Sequence, residues 1–186
     1  IEKIQVGIAK VKSIRGRAEK VTLENTTPLN PPSKEGGERP LDFSVIVDYA
    51  HTPDSLEKLY QTYAGKYRIC VLGNTGGGRD KWKRPVMAQI AEKYCDEIIL
   101  TNEDPYDESP EQIIREMAAG MKTKQPTLIL ARRAAIRAAL QKASKGDIVL
   151  ITGKGTDPYI MGPHGTREVW DDAAVVREEL AKVLAQ

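Results

Sequence analysis

The chain has 186 residues, 40% of them hydrophobic, with 28 Lys and Arg against 26 Asp and Glu for a formal net charge of +2. That is enough apolar material for one ordinary domain plus a remnant. The balanced charge excludes a general attraction to nucleic acid or to an anionic membrane, so any basic site must be local.

No apolar run approaches the roughly 20 residues of a spanning helix, and the charged start Ile1-Glu-Lys-Ile4 does not resemble a secretory signal. The expected setting is cytoplasmic, with no membrane insertion and no nucleic-acid partner. Cys70 and Cys95 each lie beside apolar residues in a predicted strand or helix. They read as small core residues of a reducing compartment rather than a disulfide framework.

Residues 1–24 carry Val6, Ile8, Val11 and Ile14, then Gly16-Arg-Ala-Glu19 and Lys20-Val-Thr-Leu23. This is strand and turn without a core of its own, and its non-methionine start inside a β-rich pattern reads as a cut chain. Residues 25–40, from Asn25 to Pro40, are rich in Pro, Gly and polar residues and read as a flexible insertion or linker. Residues 41–186 alternate short β-rich runs with longer helical ones. The expected fold is therefore α/β and Rossmann-like, a mostly parallel open sheet with helices on both faces.

Strands are predicted near Asp42–Val47, Tyr67–Leu72, Glu97–Thr101, Thr127–Leu130 and Asp147–Thr152. Helices are predicted over Pro53–Tyr63, Pro85–Tyr94, Pro110–Met121 with Ser109 as N-cap, Arg132–Ala143 and Asp172–Leu184. No repeat of roughly 20 to 50 residues interrupts the pattern.

The chemistry gathers after the strands. Val45-Ile-Val runs into Asp48-Tyr-Ala-His51-Thr-Pro53, delivering an acid and an imidazole to a strand end. A ligand site and a plain strand-to-helix turn capped by Asp48 both stay open on these nine residues. After the second strand, Gly73-Asn-Thr-Gly-Gly-Gly-Arg79-Asp-Lys81-Trp-Lys83-Arg84-Pro85 places glycines where backbone amides meet an anion, followed by four cations within six residues. Cations at a helix N-terminus oppose its dipole, so they need another reason to be there. The loop lacks both the Gly-x-Gly-x-x-Gly and the Gly-Lys-Ser/Thr spacing.

An acidic loop, Thr101-Asn-Glu-Asp-Pro-Tyr-Asp-Glu-Ser-Pro110, follows the third strand, and Gly153-Lys-Gly-Thr-Asp157 follows the fifth. Three loops and the Asp48 stretch on one sheet edge favour a binding edge over four separate turns. His164 reads as part of an exposed turn, Trp82 and Trp170 as core or rim residues, and no metal motif is visible.

Together, Gly16-Arg-Ala-Glu19, Asp48-Tyr-Ala-His-Thr-Pro53, Gly76-Gly-Gly-Arg-Asp-Lys-Trp-Lys-Arg-Pro85, Glu103-Asp-Pro105 and Gly153-Lys-Gly155 resemble the carboxyl-terminal third of Mur ligases. The type most resembled adds the third amino acid, L-lysine or meso-diaminopimelate, to UDP-N-acetylmuramoyl-L-alanyl-D-glutamate. Folylpolyglutamate synthases and other Mur ligases share the fold but usually carry different residues after the first of these strands.

The resemblance implies an ATP- and Mg²⁺-dependent ligase of peptidoglycan biosynthesis that works through an acyl phosphate. Residues 1–24 would then be the end of the central ATPase domain or lead-in strands, and residues 41–186 the amino-acid-binding domain. Position by position, it implies that Arg17, Asp48 and His51 contact the nucleotide and that Arg79 binds the carboxylate of the incoming amino acid. Asp104, Tyr106, Gly153 and Asp157 would read the far end of that amino acid; apart from the resemblance, the cations of the loops themselves, Lys81, Lys83, Arg84 and Lys154, are expected anion contacts.

ATP and Mg²⁺ would be held mostly by a central domain with a Gly-Lys-Thr/Ser loop, a loop this chain lacks. The chain alone is therefore expected to be inactive, with no catalytic and no metal-ligating residue of its own. The alternative is a truncated, non-catalytic ligand-binding or regulatory module of the same fold, or another ligase domain of Mur or folylpolyglutamate type.

Two departures from the family pattern matter. Diaminopimelate-using members carry Asp-Asn-Pro-Arg where this chain has Glu103-Asp-Pro-Tyr106. The missing charged hydrogen bond is worth about 1.5–3 kcal/mol, roughly ten- to a hundredfold in preference. The family's Gly-Lys-Gly-His-Glu is Gly153-Lys-Gly-Thr-Asp157 here, and Asp104 with Asp157 is expected to favour a terminal ammonium and hence lysine or another diamino acid with one carboxylate.

Overall fold

The computed structural model describes residues 14–22, 42–78 and 80–185. Residues 1–13, the insertion at 25–40 and Arg79 lie outside them. The predicted strands form at β2 (Ser44–Asp48), β3 (Arg68–Leu72), β4 (Glu97–Leu100), β5 (Thr127–Leu128) and β6 (Ile148–Thr152), preceded by a short β1 (Glu19–Val21). The helices are α1 (Pro53–Thr62), α2 (Lys83–Tyr94), α3 (Pro110–Ala118), α4 (Arg132–Lys142) and α5 (Asp172–Leu184).

One sheet runs β1-β2-β6-β3-β4-β5, parallel throughout except for β1, which pairs antiparallel with β2. The central strands are buried on both sides, which is why they read as unbroken apolar runs. Alternate residues divide between two cores. Val45, Val47, Ile69, Val71, Val149 and Ile151 pack against α4 and α5. Ile46, Cys70, Leu72, Leu100 and Leu150 pack against α1, α2 and α3.

Chain order explains this division. From β3 the chain moves outward through β4 to β5, then α4 carries it back to place β6 between β2 and β3. With right-handed crossovers, that reversal puts α4 on the opposite face. The carboxyl ends of β2, β6, β3 and β4 thus stand side by side around the point of reversal, where open sheets hold their ligands.

Local chemistry sets the helix starts. Thr52 and Ser55 form a reciprocal capping box at α1 with Pro53 in the first turn, an arrangement worth about 1 kcal/mol. Ser109 accepts from the Gln112 amide at the start of α3, again followed by proline.

Two features were not expected. The stretch after β6 forms a hairpin, β7 (Tyr159–Met161) and β8 (Arg167–Val169), joined through a turn at Pro163–Gly165 in which His164 is exposed and left-handed. The cysteine expectation is also corrected: Cys70 on β3 and Cys95 just after α2 are joined as a disulfide. Both point into the same core, so alternation on β3 brings Cys70 to the α2 face where Cys95 waits.

The disulfide closes a loop with a sequence separation of 25 residues, which by chain entropy contributes about 3 to 4 kcal/mol to stability. Urea unfolding with and without a thiol reductant checks this. A clearly lower midpoint in reductant is expected, and coincident curves would show that the sulfurs are not bonded.

Candidate functional site

The β2 exit is held by its own acid. Asp48 Oδ1 accepts the Ala50 amide at 2.7 Å and Oδ2 accepts the Ala18 amide at 2.6 Å, which ties the lead-in turn to the end of β2. Gly16, at φ +65°, lies so close to the β6 exit that a Cβ would sit 2.5 Å from the Thr156 nitrogen. Arg17 places its guanidinium 4.4 Å over the Tyr49 ring. His51 meets the same ring edge-on at 4.6 Å, with Nδ1 2.8 Å from the Tyr49 carbonyl oxygen. The three residues assigned to a nucleotide therefore gather around Tyr49, which the sequence reading had passed over.

At the β3 exit the glycines allow close approach to the next loop. Gly76 donates to the Asp104 carbonyl at 2.7 Å, and Gly77 and Gly78 both take positive φ. Gly78 donates to Glu108 Oε1 at 2.5 Å. Arg84 lies fully buried, donating to Glu108 Oε2, to Glu116 Oε2 and to the Thr75 carbonyl. The expectation that Arg84 binds an external anion is thereby corrected, because its fork is filled by carboxylates of this chain. Lys81 also reaches Glu108, at 3.0 Å, while remaining half exposed. Lys83 is largely covered and only 4.0 Å from Asp80. Among the described cations, Arg84 and Lys81 find their partners in α3 and the loop before it, and Lys81 is the most exposed.

The β4 and β6 exits share a buried ion cluster. Lys154, 1% exposed, donates to both oxygens of Asp104, at 2.9 and 2.8 Å, and to Asp157 Oδ2 at 2.9 Å. This corrects two expectations. Lys154 is no anion ligand, and the ammonium that satisfies Asp104 and Asp157 is the chain's own, so the pair gives no reason to prefer lysine as substrate.

Asp104 Oδ1 further accepts the Met161 amide, and Tyr106, left-handed at φ +50°, donates its amide to the Met161 carbonyl. The acidic loop and the hairpin thus brace each other. Gly153 takes φ +107°, a conformation that side chains rarely adopt, and a Cβ there would fall on Glu103 Oε2.

Glu103, like Tyr49, is a site residue with no role expected from the sequence. It is 3% exposed, its Oε1 accepts from Thr75 Oγ1 at 2.9 Å, and its Oε2 is buried with no partner. Burial pushes its carboxyl above the usual range, opposed by the Arg132 charge. No signal at the sequence level separated it from its turn-forming neighbours.

Among the described residues no group of three His, Cys, Asp or Glu side chains could hold a metal ion. Arg79, the expected carboxylate ligand, lies outside the described residues.

The edge is thus a row of four loop exits, the β2 exit tied by backbone amides on Asp48 and the other three by internal ion pairs and hydrogen bonds, a form suited to gripping a polar small molecule. The family described as "Mur ligase, glutamate ligase domain" matches residues 37–155, and the chain belongs to the Mur ligase family.

Within it, the chain is 42% identical over 183 residues to the UDP-N-acetylmuramoyl-L-alanyl-D-glutamate–2,6-diaminopimelate ligase of Syntrophomonas wolfei, covering 95% of this chain and 34% of that protein. It is 40% identical over 181 residues to the ligase of the same name from Geobacillus kaustophilus, with the same coverage. A solved ligase of that name superposes with a TM-score of 0.71 at 35% identity, over 82% of this chain and 32% of its own. A folylpolyglutamate synthase of Mycobacterium tuberculosis shares the fold alone, with a TM-score of 0.53 at 18% identity over 98% of this chain and 34% of its own. The chain therefore spans about a third of the length of the relatives it matches.

Glu108 offers a direct check on the internal ion pairs. Its hydrogen bonds from Arg84, with those from Gly78 and Lys81, hold its carboxyl at about 2. A folded value below the unfolded one gives stability that is present above about pH 4.5 and lost as pH falls toward 2. Replacing Glu108 by Gln should flatten the acid limb of a urea-stability profile between these limits, and an unchanged slope would contradict the pairing.

Proposed function

We propose that this chain is the carboxyl-terminal part of an ATP-dependent ligase that adds a diamino acid, meso-diaminopimelate or L-lysine, to UDP-N-acetylmuramoyl-L-alanyl-D-glutamate. The observation that carries the reading is identity of about 40% over 95% of the chain to ligases named for the diaminopimelate reaction. In this reading residues 41–186 are the amino-acid-binding domain, 25–40 an insertion, and 1–24 the lead-in from a central ATPase domain.

The residues present suit one end of a nucleotide. Arg17 is exposed on Tyr49, and each Asp48 oxygen, after one amide bond, keeps a lone pair for a ribose hydroxyl. His51 stands beside them. ATP, when bound with Mg²⁺, activates the substrate carboxylate by phosphorylation, and the metal's ligands belong to the central domain. This chain's part is to hold the incoming amino acid so that its amine meets the activated carboxylate. Arg79 takes its carboxylate, and the Glu103–Tyr106 and Gly153–Asp157 walls enclose its far end. Positioning of this kind supplies about 7 to 11 kcal/mol of a barrier, and it needs both faces of an interdomain cleft.

Phosphate release provides the test. The complete ligase is expected to release phosphate with ATP, Mg²⁺ and the UDP-linked dipeptide only when a diamino acid is added, and the 186-residue chain alone is expected to release none. Turnover by the chain alone would overturn the division of labour. A complete protein inactive with both diamino acids would overturn the function.

A further inference from the structure

Arg132 opens α4 with its side chain 1% exposed. A cation at a helix N-terminus opposes the dipole, and burying it adds a desolvation cost. The local structure offsets both. Nε donates to Asp172 Oδ1 at 2.8 Å and Nη2 to Asp172 Oδ2 at 2.7 Å, a bidentate pair with the first residue of α5. Trp170 donates its indole N–H to the same Asp172 Oδ1 at 2.8 Å, which fixes the carboxylate from behind.

The rest of the fork reaches backbone. Nη2 donates to the Thr152 carbonyl at 2.8 Å and Nη1 to the Asn102 carbonyl at 3.3 Å. These two carbonyls are the ones directly before Gly153 and Glu103. Thr152 ends β6 and Asn102 lies in the loop just past β4, two strands that are not neighbours, since β3 runs between them. Where the two loops meet, the buried, unpartnered Glu103 Oε2 lies in the space left by the missing side chain of Gly153.

We propose that Arg132 is the positioning residue of the amino-acid subsite: its one rigid fork spans from the β4 exit to the β6 exit and sets the spacing between the Glu103 and Gly153 walls. A planar guanidinium can hold two carbonyls and a carboxylate at fixed angles, whereas an ammonium cannot. A buried ion pair adds little net stability over an apolar pair of the same volume, so the geometry it imposes is the reason for its presence. The inference rests on the ligase reading for what the walls enclose, but not for the clamp itself.

Two measurements test it, with Arg132→Lys, which keeps the charge and loses the fork, and Asp172→Asn, which loosens the anchor. In the complete ligase, the KM for the diamino acid should rise at least about tenfold, one charged hydrogen bond's worth, while the KM for ATP stays within about twofold. In the 186-residue chain, amide hydrogen exchange at residues 102–104, 106 and 153–157 should quicken at least about tenfold while β2 and α1 amides keep their rates.

All KM values moving together, or exchange rising evenly over the chain, would reduce Arg132 to a structural residue and overturn the proposal. Unchanged exchange in both variants would also overturn it. If Arg132→Lys fails to fold, Asp172→Asn decides. If the wild-type complete ligase shows no diamino-acid dependence, the ligase reading fails while exchange still decides the clamp.

Discussion

An ammonium removed from water is stable only if anions surround it, and Lys154 is such an ammonium at the end of β6. Its two carboxylates come from different places, Asp104 from the β4 exit and Asp157 from three residues onward in its own loop. Satisfying Lys154 therefore forces the two loops together across the intervening β3 exit. That loop closes in turn, through the Gly76 amide on the Asp104 carbonyl and through Thr75 on Glu103. Much of the edge geometry follows from this one requirement.

The same requirement changes how the charges of the edge are read. A loop with lysine between glycines suggests an anion site, and two aspartates suggest a cation site, yet here each satisfies the other. Arg84 with Glu108 and Glu116 repeats the arrangement one loop away, and Arg132 with Asp172 repeats it beneath. Among the described residues, what remains for a ligand includes Arg17 on Tyr49, the second lone pairs of Asp48, His51, Lys81, and the buried Glu103 with its open oxygen. Preorganisation of that kind suits the proposed role, holding an amine in place without ordering the loops at the moment of binding.

The strands β2 to β6 and the five helices were legible because their signals are local and redundant. Apolar runs of strand length alternate with helices, two of which, α1 and α3, are capped and opened by proline, and each predicted element forms with ends moved by at most about three residues. The placement of the loops on one edge was legible too, since parallel connectivity dictates it.

What escaped the sequence is non-local pairing. Cys70 and Cys95 sit on elements whose facing becomes known only with the sheet order, and Lys154 meets Asp104 across 50 positions of sequence. The β7–β8 hairpin has three residues per strand, and β8 is exposed along its length, so no apolar alternation marks it. Glu103 looked like its polar neighbours because burial, not residue type, sets its chemistry.

A double-mutant cycle on Lys154 and Asp104, by urea unfolding of this chain, tests most directly that the edge is organised by a buried internal ion pair. Lys154→Met and Asp104→Asn, singly and together, give a coupling free energy. The account predicts about 2 kcal/mol or more, in the upper part of the range for contacting residues and above the 0 to 1 kcal/mol of an exposed pair. A coupling within error of zero would mean that Lys154 does not hold the two loops together, and would contradict it.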